Sequence, residues 1–279
     1  MNILLIGKNG QLGKAFEKEL IERNISYTAV GHSECDITDT SALEKLILSV
    51  KPTHIINTSA YNLVDKAENE GKIDSYKTNS EALKKLAQFA HEYGAKLVHY
   101  GSDYVFDGNK KTLYTEEDPQ QPLNEYGKSK AHGEQEVLVY PEHLVLRTSW
   151  VYGDGEQNFI FKFLKNAEQK DILPGTFDEI SVPTSTRLLV ELTLKALDKD
   201  LSGLYHVVNS GYCSRADWAR EILKIKGMKK SIEEVSITTW NLPAKRPTFS
   251  AMDNSKIAHD LQIEIPDWRD ELFDFLSRK

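Results

Sequence analysis

Residues Asn2-Ile-Leu-Leu-Ile6 run straight into Gly7-Lys-Asn-Gly10-Gln-Leu-Gly13. A short continuous apolar run reads as a strand buried on both faces. Beyond the glycines, Leu12, Phe16, Leu20 and Ile21 recur at helical spacing. Strand, glycine turn and helix in that order open a βαβ unit, and a βαβ unit requires a parallel sheet covered by helices. The same turn suits a dinucleotide: glycines let the backbone approach a pyrophosphate, and the helix N-terminus favours its charge. The spacing is G-x-x-G-x-x-G rather than G-x-G-x-x-G, so a plain tight turn is the competing reading.

The chain keeps alternating. Residues 25–30 predict a second strand. Leu43, Leu46, Ile47 and Val50 predict a helix over 40–50, stopped by Pro52, and 54–57 start a third strand. A helix over 78–93 carries Leu83, Leu86, Phe89 and Ala90 and closes at Gly94. Residues 96–100, a helix over 124–139 and residues 143–147 follow. The expected fold is α/β: a Rossmann-type doubly wound parallel sheet with a smaller C-terminal substrate-binding lobe. Ligands in such sheets sit at the carboxyl ends of the strands, where Gly7, Asp36, Ser59, Ser102 and Ser149 fall. After Trp150 the pattern changes. A helix near 159–168 and a loop with Pro174, Gly175, Pro183 and Thr184 precede a helix over 187–198 and a strand over 203–208, which return to the sheet. A helix over 214–226, a strand near 235–238 and a last helix from 267 complete the chain. The expected division is 1–150 with 187–208 as the dinucleotide-binding domain, and 151–186 with 209–279 as the substrate lobe. A cleft between them is a usual small-molecule site.

Charge and cysteine usage exclude other classes. The formal net charge is -7 with no basic run, which argues against nucleic acid or an anionic membrane as partner. Cys35 and Cys213 lack partners at metal-ligand spacing, and the eight His form no ligand cluster, so no metal is expected. The apolar run at 3–6 is too short for a signal peptide or a membrane span, and a cytoplasmic protein is expected.

Chemistry enters at Asn124-Glu-Tyr-Gly-Lys-Ser-Lys130. Tyr126 and Lys130 are four apart, which on a helix stacks them on one face. A nearby ammonium favours the phenolate, so Lys130 is expected to lower the Tyr126 pKa toward neutrality. The spacing alone is common on surface helices. Ser102, at a strand end, is a candidate donor to a substrate oxygen beside Tyr126. Reducing a carbonyl needs such a set: hydride to carbon, a proton to oxygen, and donors that steady the alkoxide.

With these residues in place the chain resembles the extended short-chain dehydrogenase/reductases, and more narrowly the dTDP-4-dehydrorhamnose reductase family, nearly end to end. The turn 7–13 resembles the family's nucleotide turn, Asp36-Ile-Thr-Asp39 its adenine contact, and Asn57 to Glu68 its segment past the nicotinamide and diphosphate. Ser102-Asp103, Pro122 to Lys130, Arg147-Thr-Ser-Trp-Val-Tyr-Gly153, Lys245 to Ser250 and Asp253 to Lys256 match its later motifs in order. The resemblance implies reduction of the C4 ketone of a nucleotide-linked 4-keto-6-deoxy sugar, with Ser102, Tyr126 and Lys130 catalytic. It implies cofactor contacts from Gly7, Lys8, Gly10, Gln11, Leu12, Gly13, His32, Asp36, Ile37, Ser59, Ala60, Tyr61, Tyr126 and Lys130.

The substrate set comprises Ser102, Asp103, Trp150, Asn158 and Arg246. Asp103 is read as a sugar-hydroxyl ligand or a turn cap, and Trp150 as an apolar face for the hexose or core. Arg246 is read as a grip on the diphosphate or a surface ion pair. NADPH is the expected cofactor, NADH being possible, because the second predicted strand ends Ala29-Val-Gly-His-Ser33 with no acid before Glu34, while Lys8 and His32 can donate to a 2′-phosphate. The chain departs from the family at Asp178-Glu-Ile-Ser-Val-Pro-Thr184, at Phe249 and at Gly101. Some members dimerise through Mg²⁺ held by an acid on the first helix; Ala15 stands there, so a metal-free monomer or weak homodimer is expected. Two alternatives stay open: a reductase giving the C4 epimer, of 6-deoxy-talose type, and a non-catalytic NADP-binding regulatory subunit.

Overall fold

The structure is a computed structural model and describes residues 1–278. In chain order its elements are β1 (Asn2–Ile6), α1 (Gln11–Glu22), β2 (Ser26–Val30), α2 (Thr40–Val50), β3 (His54–Asn57), α3 (Lys72–Tyr76), α4 (Ala82–Glu92), β4 (Lys96–Ser102), α5 (Glu125–Leu138), β5 (Leu144–Thr148), β6 (Val151–Tyr152), α6 (Phe159–Ala167), β7 (Ile172–Thr176), β8 (Ile180–Ser181), β9 (Thr184–Ser185), α7 (Thr186–Asp198), β10 (Gly203–His206), β11 (Cys213–Ser214), α8 (Arg215–Ile225), β12 (Ser231–Val235), α9 (Ser255–Leu261) and α10 (Trp268–Ser277).

Six strands form one sheet in the order β10-β5-β4-β3-β1-β2, every neighbouring pair parallel. The period of two along β1 sends Ile3 and Leu5 to one face and Leu4 and Ile6 to the other. The first pair packs with Phe16 and Leu20 of α1 and with the apolar face of α7. The second packs with Leu43 and Ile47 of α2 and with Leu83, Leu86 and Ala90 of α4. From β1 the sheet grows one way to β2 and the other way to β3, so the strand order reverses there, and that is where a crevice opens. A separate apolar cluster of Tyr152, Ile160, Phe163, Trp218, Trp268 and Leu272 joins α6, α8 and α10.

Three differences from the sequence reading have physical causes. The helix expected from residue 78 begins as α3 and reaches α4 through a five-residue π-helical stretch, Lys77–Glu81. There the extra residue turns Asn79 inward, and Gly133 of α5 lies so close that a Cβ would stand 1.9 Å from the Asn79 carbonyl oxygen. Pro174 and Gly175, expected in a loop, belong to β7, which pairs in parallel with β12 in a two-stranded ribbon. An edge position tolerates the missing Pro N–H. The strand expected near 235–238 is β12, ending at Val235 and followed by a 3₁₀ turn over Ile237–Trp240. Helix α9 was too short to leave a periodic signature; its Ile257 and Leu261 complete the main core.

Candidate active site

The glycine turn is fixed by contact between backbones. Gly7 has φ +93°, and a Cβ there would lie 2.6 Å from Thr58 Oγ1 and 2.8 Å from the Ser59 amide nitrogen. Gly13 faces the Gly7 carbonyl oxygen, which a Cβ would approach to 2.3 Å. Gly10 is the N-cap of α1 and supplies no side-chain cap; the nearest atom to its missing Cβ is 3.5 Å away. The first amides of α1 therefore lack side-chain partners and face an open approach, the arrangement that takes a phosphate. Gln11 and Leu12 contribute as backbone: Gln11 Nε2 donates to the Val151 carbonyl at 3.0 Å, and Leu12 packs on the main core.

From this turn a cleft of about 610 Å³ runs past His32, Asp36, Ile37, Ser59, Ala60 and Tyr61, within the range of small-molecule sites. It is also lined by Asn9, Cys35, Asn62, Lys77 and Gln157, which sequence reasoning did not single out. The residues fit a dinucleotide, because the glycine cradle would be filled by any Cβ and the helix start is uncapped.

Glu34, the first acid past β2, turns back toward the glycine turn. Its carboxylate curls back to accept from the Gly31 amide at 2.9 Å and from Lys8 Nζ at 2.6 Å. The Lys8 ammonium holds the Glu34 carboxyl down at about 2. Lys8 is thus already paired, and His32 is largely exposed with Nδ1 3.8 Å from Asp36. Asp36 itself closes a turn, accepting from the Thr38 amide and hydroxyl.

Helix α5 starts where Asn124 caps it. The Asn124 Oδ1 accepts from the Gly127 amide at 2.7 Å, and its Nδ2 donates to the Lys245 carbonyl. Tyr126 and Lys130 then sit one turn apart, both buried. The Tyr126 hydroxyl meets the Ser102 hydroxyl and lies 3.4 Å from Asn62 Oδ1. Lys130 Nζ donates to the Tyr100 carbonyl at 2.6 Å and lies 3.3 Å from His99 Nε2. The expected lowering of the Tyr126 pKa by Lys130 is corrected by this packing. Burial pushes the Tyr126 pKa up, only partly opposed by the Ser102 hydroxyl. Burial also pulls Lys130 down to about 8, against the opposing charge of Glu134. Tyr126 is therefore held as a phenol, the acid that carbonyl reduction consumes.

Two further groups shape this cluster. Asn79 donates to Ser129 Oγ at 3.0 Å and exchanges hydrogen bonds with the Tyr61 backbone, so the π-helical stretch ties the cofactor loop to α5. A polar residue in a helical run was the available signal. Glu134 and Arg147 form a buried pair at 2.8 Å, and Glu134 also accepts from the Ser102 amide at 3.4 Å. Gly101 leaves room for this pair: a Cβ there would lie 2.2 Å from Glu134 Oε1.

On the substrate side the structure gives three residues other tasks. Asp103 is buried and accepts from Ser181 Oγ at 2.9 Å and Ser250 Oγ at 2.6 Å. It ties three distant segments together, being neither an open sugar ligand nor a simple turn cap. Asn158 caps α6: its Nδ2 donates to the Gly153 and Gly155 carbonyls and its Oδ1 accepts from the Phe161 amide, which leaves little for a substrate. Arg246 grips both Asp65 oxygens, at 2.6 and 2.7 Å, and donates to the Ala244 carbonyl; only 11% of its side chain is exposed, so this is no surface pair. Trp150 has φ +41° and stacks on Trp218 at 5.6 Å, with the Arg215 guanidinium 3.6 Å from its ring. Arg215 is 5.4 Å from the Trp218 ring, too short for the two to lie on opposite faces of Trp150. Both therefore cover the same face.

Among the described residues no group of three or more His, Cys, Asp or Glu could hold a metal ion, and no helix is long and apolar enough to cross a membrane.

A doubly wound sheet with an uncapped glycine turn and a Ser/Tyr/Lys cluster at its strand ends defines the short-chain dehydrogenase/reductase class. Over residues 1–279 the chain matches the family described as RmlD substrate binding domain. A dTDP-4-dehydrorhamnose reductase of Escherichia coli is 32% identical across 96% of this chain and 95% of its own length. A crystal structure of a dTDP-4-dehydrorhamnose reductase from Clostridium acetobutylicum superposes with TM-score 0.95 at 34% identity, covering 100% of this chain and 99% of that one. Another from Bacillus anthracis, in complex with NADP, gives TM-score 0.96 at 30% identity over 100% and 99%. The chain belongs to this dTDP-4-dehydrorhamnose reductase family.

Proposed function

We propose that the chain reduces the C4 ketone of a nucleotide-linked 4-keto-6-deoxy sugar, with dTDP-4-dehydro-L-rhamnose as substrate, dTDP-L-rhamnose as product and NADPH as reductant. The observation that carries this reading is the buried Tyr126 phenol, beside the Ser102 hydroxyl and one helical turn from Lys130, with a glycine turn whose helix start is uncapped. Family membership supports the ketone reduction, and the NADP-bound relative supports the cofactor.

When bound, the nicotinamide supplies the hydride. Tyr126 gives its proton to O4, and Ser102 donates to the same oxygen as charge develops there. Lys130 holds position behind Tyr126. The face of Trp150 away from Arg215 and Trp218 is the one a hexose can meet, and Arg246, if it serves the diphosphate, does so by exchanging Asp65. Residues 1–150 with 187–208 form the cofactor-binding part in this reading, and the remainder the substrate lobe. The protein acts in the cytoplasm as a monomer or weak homodimer.

The test is NADPH oxidation by purified protein against a panel of 4-keto sugar nucleotides, with product NMR to fix the C4 configuration. Turnover of the dTDP-linked ketone to the rhamnose product is expected. Cofactor binding without turnover of any panel member would overturn the reading, and a talose-type product would replace its stereochemistry.

A further inference from the structure

Trp150 heads a stack of nearly parallel rings that runs into the apolar cluster of α6, α8 and α10. Its ring lies on Trp218 at 5.6 Å and 13°, Trp218 on Phe159 at 4.7 Å and 23°, and Phe159 on Phe163 at 5.5 Å and 16°. The Trp150 backbone has φ +41°, a conformation that a bulky residue keeps only where its surroundings hold it. Stacking on Trp218 supplies part of that hold. The rest comes from beside Trp218, where the Arg215 guanidinium sits 3.6 Å from the Trp150 ring.

Arg215 is held unlike the other arginines near the site. Among the described residues its guanidinium donates no hydrogen bond, and its one ionic neighbour is Glu179, with Nη2 3.5 Å from Oε1. Arg147 and Arg246 donate to carboxylates at 2.6 to 2.8 Å. Arg215 instead lies against a ring face, as a planar and weakly hydrated cation can. Strand register explains why it meets Glu179. β8 and β11 pair antiparallel, with Ser181 opposite Cys213 and Ile180 opposite Ser214. One step further Glu179 falls opposite Arg215, and the Arg215 amide donates to the Glu179 carbonyl at 3.2 Å. Opposed residues of such a pair share one side. A period of two puts Glu179 on the side of Ser181, whose hydroxyl reaches Asp103, next to Ser102. Asp103 feels both charges. The pair thus faces the reacting groups.

We propose that Glu179 and Arg215 are positioning residues that brace Trp150. Glu179 fixes the guanidinium, and the guanidinium fixes the indole plane, so that the opposite face of the ring meets the hexose at one angle. The hexose rests on the proposed function; the brace does not. Neither residue touches the reacting atoms in this role. Losing the brace should loosen the ring and weaken hexose binding while leaving hydride and proton transfer alone.

The experiment compares full-length wild type with Trp150→Phe, Arg215→Ala and Glu179→Gln. Stacked indoles couple their excited states, and circular dichroism of the free protein reads the Trp150–Trp218 pair as the exciton couplet that Trp150→Phe abolishes. The couplet should fall in Arg215→Ala, and fall less in Glu179→Gln, whose amide oxygen still accepts. With NADPH and dTDP-4-dehydro-L-rhamnose, KM should rise about tenfold in Arg215→Ala, the size of one shielded cation–π contact, and about threefold in Glu179→Gln, with kcat within about twofold of wild type. Binding of dTDP alone, which carries no hexose, should be unchanged in both. A folded Arg215→Ala that keeps either the couplet or KM overturns the proposal. So does an equal weakening of dTDP, which would make Arg215 a ligand of the nucleotide. If Arg215→Ala does not fold, Glu179→Gln decides by the same readings. If no keto sugar nucleotide is reduced, the proposed function falls, and the couplet alone decides whether the brace exists.

Discussion

The cofactor part and the substrate part of the proposed site are built by different means. At the glycine turn the groups offered are backbone, and at Gly7 and Gly13 side chains are excluded by neighbours between 2.3 and 2.8 Å from where a Cβ would go. At the other end the side chains are committed to one another: Asp103 to two serines, Asn158 to three backbone groups, Arg246 to Asp65. A backbone cradle binds without rearrangement. A network of committed side chains binds only by exchange, and each exchange subtracts the pair it breaks. Affinity is therefore expected to be set chiefly at the cofactor end, and selectivity at the sugar end.

The largest effect should come from neither end but from the acid between them. Tyr126→Phe keeps the ring and deletes the proton donor. kcat should fall about 10²- to 10⁴-fold, the usual range for a positioned general acid, while NADPH affinity measured by fluorescence titration holds. Retained turnover would remove Tyr126 from the mechanism.

A matched pair of variants tests the contrast itself. Gly13→Ala forces a methyl against the Gly7 carbonyl, and overpacking of this kind costs about 1–3 kcal/mol. The loss should appear in NADPH affinity. Asn158→Ala deletes the α6 cap and should cost about 0.5–2 kcal/mol of stability, read in a urea melt, with cofactor affinity unchanged. If Gly13→Ala binds NADPH normally, the backbone cradle is not what takes the pyrophosphate.

The glycine turn was legible in the sequence because its constraint is nearly local: only a residue without Cβ fits, and strand and helix flank it. Tyr126 and Lys130 were legible because four residues make one helical turn. The substrate end was not. Asp103 finds Ser181 and Ser250, 78 and 147 residues away, and Arg246 finds Asp65 across 181. No periodicity announces such partners. The π-helical stretch was hidden for another reason, since Leu83 and Leu86 keep helical spacing after it and mask the extra residue before them. The raised Tyr126 pKa also needed the fold, because burial outweighed the charge that the spacing brought near.

Asp103 offers a smaller test, with a sign. Burial raises its pKa from an ordinary 3.8 to about 6, against the Ser250 and Ser181 hydroxyls. The folded protein thus holds this proton more tightly than the unfolded chain. The contribution is fully present below about pH 4, is lost as pH rises toward 6, and stays lost above. About two pKa units correspond to at most about 3 kcal/mol. Asp103→Asn keeps an acceptor for the serines and carries no charge. It should therefore be more stable than wild type at pH 7.5, with the difference shrinking by pH 4.5. Equal urea midpoints at both pH values would show that the carboxylate is better solvated than its burial indicates.

The smallest effect concerns the ribose 2′-phosphate and compares the two paired cations directly. Lys8 is held by one exposed carboxylate through a single contact, whereas Arg246 is forked and mostly buried. Exposed pairs are weak, so a 2′-phosphate can displace Glu34 from Lys8, although the displaced charge remains nearby and repels it. These opposed terms predict that NADPH beats NADH in kcat/KM by less than about a hundredfold, since one charged hydrogen bond is worth about 1.5–3 kcal/mol. Glu34→Gln should widen the preference by removing the repulsion and freeing Lys8. Lys8→Ala should narrow it, and His32→Ala should narrow it less, because that ring is largely exposed. Both cofactors are to be compared at saturating sugar nucleotide in all four proteins. A preference that Glu34→Gln leaves unchanged would place the 2′-phosphate away from this pair and break the contrast between an exchangeable cation at one end of the cleft and a fixed one at the other.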